Sequence, residues 1–104
     1  NSVLEPTLSA IYQLQMNDNE VCINTGFIFP NQIYIETHPV EWQLNYLLLR
    51  RKYDRHQSCD LLMSIIKFRY FAYHKYHKLT ILKDLLNDFE KMYYNRCLSV
   101  QNQS

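Results

Sequence analysis

The sequence predicts an α+β domain in which a short N-terminal antiparallel β-meander precedes a three-helix block. Three observations predict it. The single glycine, Gly26, and the prolines Pro6, Pro30 and Pro39 all lie early in the chain, and residues 40–104 contain neither type, which favours helix there. Residues 8–16 alternate apolar and polar side chains, the period of a half-buried strand. Residues 81–93 repeat their apolar positions every three or four residues, the period of a helix packed on one face.

The elements follow in order, within one domain spanning the 104 residues. The meander covers 7–38. Its first strand carries Leu8, Ala10, Tyr12, Leu14 and Met16 on one face, with a short helix capped by Thr7 as the competing reading. Asn17–Asn19 turns the chain. Val21–Asn24 and Phe27–Phe29 read as one strand with a bulge at Gly26. Pro30-Asn31 suits the next turn, and Gln32–Thr37, with Ile33 and Ile35, completes the sheet.

The helical block covers 40–98. Pro39 is placed to open the first helix at a position where its missing N–H costs nothing. Over 40–54 that helix has two apolar faces: Val40, Leu44, Leu47 and Leu48 on one side, Trp42, Tyr46, Leu49 and Tyr53 on the other. A helix apolar on two sides is sandwiched in a core or covered by a partner. The aliphatic face is expected inward, and the aromatic face is either covered by the meander as core or left exposed for a partner. Ser58 is the expected cap of a second helix over 59–77, with Leu61, Leu62, Ile65, Ile66, Phe68, Ala72, Tyr73 and Tyr76 inward. Arg69 would project from that stripe, partly buried and paired with Glu36 or Glu41, or locally with Asp54. Thr80 is the expected cap of the last helix, whose stripe is Ile81, Leu82, Leu85, Leu86, Phe89, Met92 and Tyr93. Residues 99–104 read as a frayed polar tail, and a start at Asn1 reads as a piece of a longer protein.

Charge is sorted along the chain. Residues 1–49 hold five acids and no Lys or Arg, whereas residues 50–78 hold eight bases against Asp54 and Asp60. The net charge of +1 therefore conceals an acidic half and a basic middle, a pattern of internal complementarity or of a polarised binding surface.

No motif names a reaction. One glycine excludes the glycine-rich phosphate cradles of nucleotide enzymes, and no nucleophile elbow is present. Asp84 and Asp88 lie one turn apart and read as a solvated pair. Cys22, Cys59 and Cys97 are odd in number and widely spaced, neither a disulfide framework nor a zinc motif. They point to a reducing compartment, cytoplasmic or nuclear. His74 and His77 sit at metal-ligating spacing, but the other candidates, His56 and Asp60, are remote in sequence. The reading is therefore a non-enzyme with no metal and no cofactor. Its apolar runs are too short to cross a membrane.

What remains is recognition. The expected function is a protein–protein interaction or assembly module, a scaffold whose partner is an acidic protein or a second copy. Its expected contacts are the aromatics Trp42, Tyr46, Tyr53 and Phe71, flanked by Arg50, Arg51 and Arg55, residue types that dominate interface energetics. The alternative is nucleic-acid binding through the basic segment 50–78, with Lys52, Lys67, Tyr70, His74, Lys75 and Lys78 as its contacts.

Overall fold

The computed structural model describes residues 25–69 and 75–103. They form a short 3-10 helix, Pro30–Tyr34, and three α-helices: α1 (Pro39–Arg50), α2 (Arg55–Ile65) and α3 (Lys75–Gln103). The expected meander is corrected here. The described residues hold no strand or sheet, only an isolated antiparallel bridge between Ile35 and Phe68. The expected strands at 8–16 and 21–24 lie outside the described residues.

The segment 32–37 departs from the strand reading because Pro30 opens a 3-10 turn. Gln32 N–H donates to the Phe29 carbonyl at 2.9 Å, and Ile35 N–H to the Gln32 carbonyl at 3.0 Å. Phe27 pairs with a side chain instead of a strand. The Gln43 amide oxygen accepts from the backbone N–H groups of Gly26 (2.7 Å) and Phe27 (3.1 Å), while its nitrogen donates to the Phe27 carbonyl at 2.7 Å. Gly26 has a φ of +84°, and a Cβ there would stand 3.2 Å from the Val40 side chain. The expected bulge is thus a left-handed turn packed against α1, where glycine is at its least strained.

Helix α1 starts as the sequence implies, with Pro39 in its first turn. The His38 imidazole Nδ1 accepts from the Val40 N–H at 3.2 Å, which caps the start. The helix ends at Arg50 instead of 54, because residues 51–53 turn the chain and Asp54 takes up the next helix. Asp54 Oδ1 accepts from the Gln57 N–H at 2.8 Å, so Asp54, and not Ser58, caps α2. Ser58 lies inside α2 and is buried.

Helix α2 stops at Ile65, well short of 77. Tertiary pairing takes over the backbone beyond it: Lys67 N–H donates to the Thr37 hydroxyl, Glu36 N–H to the Lys67 carbonyl, and Arg69 N–H to the Tyr34 carbonyl, each at 2.8 Å. This overturns the helical phase assumed for Arg69, which is exposed. Glu36 instead faces Lys67 at 3.4 Å. Leu61 and Ile65, expected inward, are also exposed. Helix α3 begins before Thr80. Ile81, Leu82, Leu85, Leu86 and Phe89 of its stripe are buried, while Met92 is exposed.

The core joins this stripe to Ile35, Trp42, Tyr46, Cys59, Leu62 and Ile66. Phe89 is its hub. The rings of Trp42 (5.6 Å), Tyr93 (5.8 Å), Tyr46 (6.2 Å) and Phe27 (6.4 Å) surround it, within the range of favourable aromatic pairs. The Trp42 indole N–H donates to Gln32 Oε1 at 2.8 Å, and the Gln32 amide nitrogen donates to the Thr37 carbonyl at 2.9 Å. Both faces of α1 are covered: Leu44 is buried on the aliphatic side, Trp42 and Tyr46 on the aromatic side.

Candidate functional site

The burial of α1 changes which residues are available for recognition. Trp42 and Tyr46 are 0% and 1% exposed, so the aromatic face expected to meet a partner is core in this chain. Phe89 draws them inward because it offers ring contacts that an aliphatic partner would not. Tyr53, in the α1–α2 turn, keeps 40% exposure. Phe71 lies outside the described residues. Arg50, Arg51 and Arg55 are exposed around the same turn. Arg50 donates to the Tyr53 carbonyl at 3.0 Å, which holds the turn closed.

Arg55 opens α2 and reaches across to α3. Its Nε lies 2.9 Å from Glu90 Oε1, and a terminal nitrogen donates to Asn87 Oδ1. The other Glu90 oxygen, Oε2, accepts from the buried Tyr46 hydroxyl at 2.9 Å. Burial, and then the Glu90 hydrogen bond, push the Tyr46 hydroxyl up to about 12. One carboxylate thus joins all three helices and sets the guanidinium in place. Five N–H donors on an Arg leave capacity beyond these two partners.

Two clefts meet at this arginine, both lined by Arg55 and Asn87. The first, about 390 Å³, lies between α2 and α3, with Cys59, Leu79 and Leu86 as its apolar part and Lys83 beside them. The second, about 640 Å³ and more open, adds Arg50, Lys91 and Tyr94. Lys83, Asn87 and Lys91 stand at successive i, i+4 positions of α3 and so share one face. With Arg55 bonded to Asn87, the groove carries a row of cations: Lys83, Arg55, Lys91, with Arg50 at the side. Two acids also line the groove: Glu90, paired as above, and the exposed Asp60, 3.5 Å from a His56 imidazole that is charged only when protonated. Cys59 is buried, and its thiol is pushed up by that burial and by the Asp60 charge. Both effects disfavour the thiolate.

The nucleic-acid candidates are scattered by comparison. Lys52 is in the α1–α2 turn and Lys67 lies past the far end of α2, a helix about 16 Å long at 1.5 Å per residue. Lys67 faces Glu36, and the Lys78 ammonium sits 5.6 Å from the Phe68 ring centroid. Tyr70 and His74 lie outside the described residues, as does the Lys75 side chain. His77 packs edge-on against Tyr34 at 5.4 Å. Among the described residues no group of three His, Cys, Asp or Glu is placed to hold a metal ion, and no helix is long and apolar enough to cross a membrane.

Sequence reasoning found Arg50 and Arg55 but missed Lys83, Asn87, Lys91 and Tyr94. The i, i+4 spacing of Lys83, Asn87 and Lys91 was a legible signal of a shared face. That Arg55 would lie across that face was not legible, since 32 residues separate Arg55 from Asn87. No protein-family model matches this chain, and no curated protein or solved structure shows significant similarity to it.

Proposed function

We propose that this domain is a protein-interaction module whose contact surface is the groove along α3, entered between α2 and the α1–α2 turn. The observation that carries this reading is the cation row around Arg55, whose guanidinium is fixed by Glu90 and Asn87 at the junction of two clefts. A preorganised Arg loses less freedom on binding than a mobile one, and Arg and Tyr at a groove are residue types that anchor interfaces. The neutral, buried Cys59 thiol supports a binding role over a catalytic one, and it suits a reducing compartment, cytosol or nucleus.

Differential capture tests the reading. The full chain and its Lys83→Glu/Lys91→Glu variant are immobilised and exposed to extract of the source cell, with and without nuclease. Both lysines are exposed, so the variant should melt close to the parent. A protein retained by the parent, lost by the variant and insensitive to nuclease is the expected result. Identical retention by both chains counts against the groove, and retention that nuclease abolishes transfers the surface to nucleic acid.

A further inference from the structure

Resting on that interaction reading, we infer that the occupant of the groove is an acidic peptide segment that carries an apolar side chain among its carboxylates. Charge supplies the first part of the argument. Four cations, Arg50, Arg55, Lys83 and Lys91, line the two clefts against Glu90 and Asp60. Glu90 is paired with Arg55, and Asp60 lies 3.5 Å from His56, which is charged only when protonated, so four cations against two acids leave +2. The surplus is positive, and its complement is a carboxylate-rich partner.

Spacing supplies the second part. Lys83 and Lys91 are eight residues apart on α3, about 12 Å at 1.5 Å rise per residue. Two carboxylates four residues apart in an extended peptide span about 13 Å at 3.3 Å per residue. Arg55, on Asn87 halfway between the lysines, faces the middle of such a segment. The third part is the apolar lining. Of this lining only Leu79 is half-exposed, Cys59 and Leu86 being buried; Leu79 offers no partner to a phosphate or a carboxylate, so the cleft beside Lys83 is suited to a single aliphatic side chain. That lining favours a peptide over a nucleic-acid strand, which would leave it unfilled and would seek a longer run of cations.

Fluorescence anisotropy on the full chain decides between these chemistries. The probes are a labelled peptide repeating Glu-Ser-Leu-Ser, which sets glutamates four residues apart and leucines on the same face of an extended chain, its glutamine–leucine counterpart, an all-glutamate peptide, and single-stranded DNA of matched length. The glutamate–leucine peptide should bind at least about tenfold more tightly than each of the other three. Lys83→Glu with Lys91→Glu should remove that advantage while the melting temperature holds. Lys83→Gln, milder for the fold, should give a smaller loss in the same direction. Equal binding of the glutamine–leucine peptide overturns the acidic chemistry and leaves the interaction reading standing. Tighter binding of DNA, or of the all-glutamate peptide, overturns the apolar part. Absence of binding by the glutamate–leucine peptide overturns the inference as a whole, and differential capture then reports separately on whether the groove meets a protein at all.

Discussion

Helix α3 and the segment 25–37 pack on the same core, yet they are held in shape by different means. Within α3 the interior backbone groups find their partners a turn away, and the stripe Ile81, Leu82, Leu85, Leu86 and Phe89 needs only helical spacing to face one direction. In segment 25–37 the local 3-10 turn over Pro30–Tyr34 is supplemented by partners from elsewhere. Gln43, on α1, holds Gly26 and Phe27; Lys67 and Arg69, beyond α2, pair with Glu36 and Tyr34. One region is a local solution, and the other is shaped by residues that are distant in sequence. The comparison teaches that apolar periodicity is a sound guide only where the backbone satisfies itself.

The largest effect is expected at the hub that the two regions share. Phe89→Ala removes the ring against which Trp42, Tyr46 and Phe27 pack and should cost about 3–5 kcal/mol, read from the urea midpoint. A cost near 1 kcal/mol would show that the regions pack independently. Gln43→Met comes next. It keeps the side-chain length but strips partners from two buried-side N–H groups and one carbonyl, at about 2–4 kcal/mol. An unchanged midpoint for this variant would break the comparison, because segment 25–37 would then hold its shape without α1.

The third prediction concerns the hydroxyl that ties α1 to α3. Tyrosine ordinarily ionises at 10.0, and Tyr46 is held neutral to about 12 by burial and by Glu90. The folded state therefore keeps a proton that the unfolded chain has lost. This contribution is fully present below pH 10 and is lost as pH rises to about 12. Its size is about 2–3 kcal/mol, from 1.36 kcal/mol per pKa unit. Urea titrations through that alkaline window should show the decline, and Tyr46→Phe should flatten it. An equally steep decline in Tyr46→Phe would assign the effect to other groups.

Reading the fold from sequence succeeded at two places where the signal was local. Pro39 marked the start of α1, and the stripe of α3 was visible in its spacing. Both the α1–α2 boundary and the end of α2 were misjudged. Asp54 and Ser58 are both good caps, and sequence alone does not say which one faces an open helix end. Residues 66–69 have no glycine or proline to stop a helix. They leave it because Thr37, Glu36 and Tyr34 engage their backbone. The aromatic face of α1 was legible as a face, with core and interface both open, since the ring that decides it, Phe89, is far along the chain. The groove was half legible: Arg50 and Arg55 stood out as charge, while Lys83 and Lys91 looked like ordinary solvated positions.

The sequence by itself determined the helical character of residues 40–50 and 81–93, the shortage of catalytic motifs and the concentration of positive charge after residue 49. These follow from backbone propensity, side-chain period and composition, each of which acts within a few residues. Only the tertiary structure decided that segment 25–37 is a clamped turn and not a sheet, that Trp42 and Tyr46 face inward, and that Arg55 meets Asn87 and Glu90 between two lysines of α3. Those outcomes rest on hydrogen bonds and ring contacts between residues separated by tens of positions, whose value depends on which partners the folded chain brings within reach.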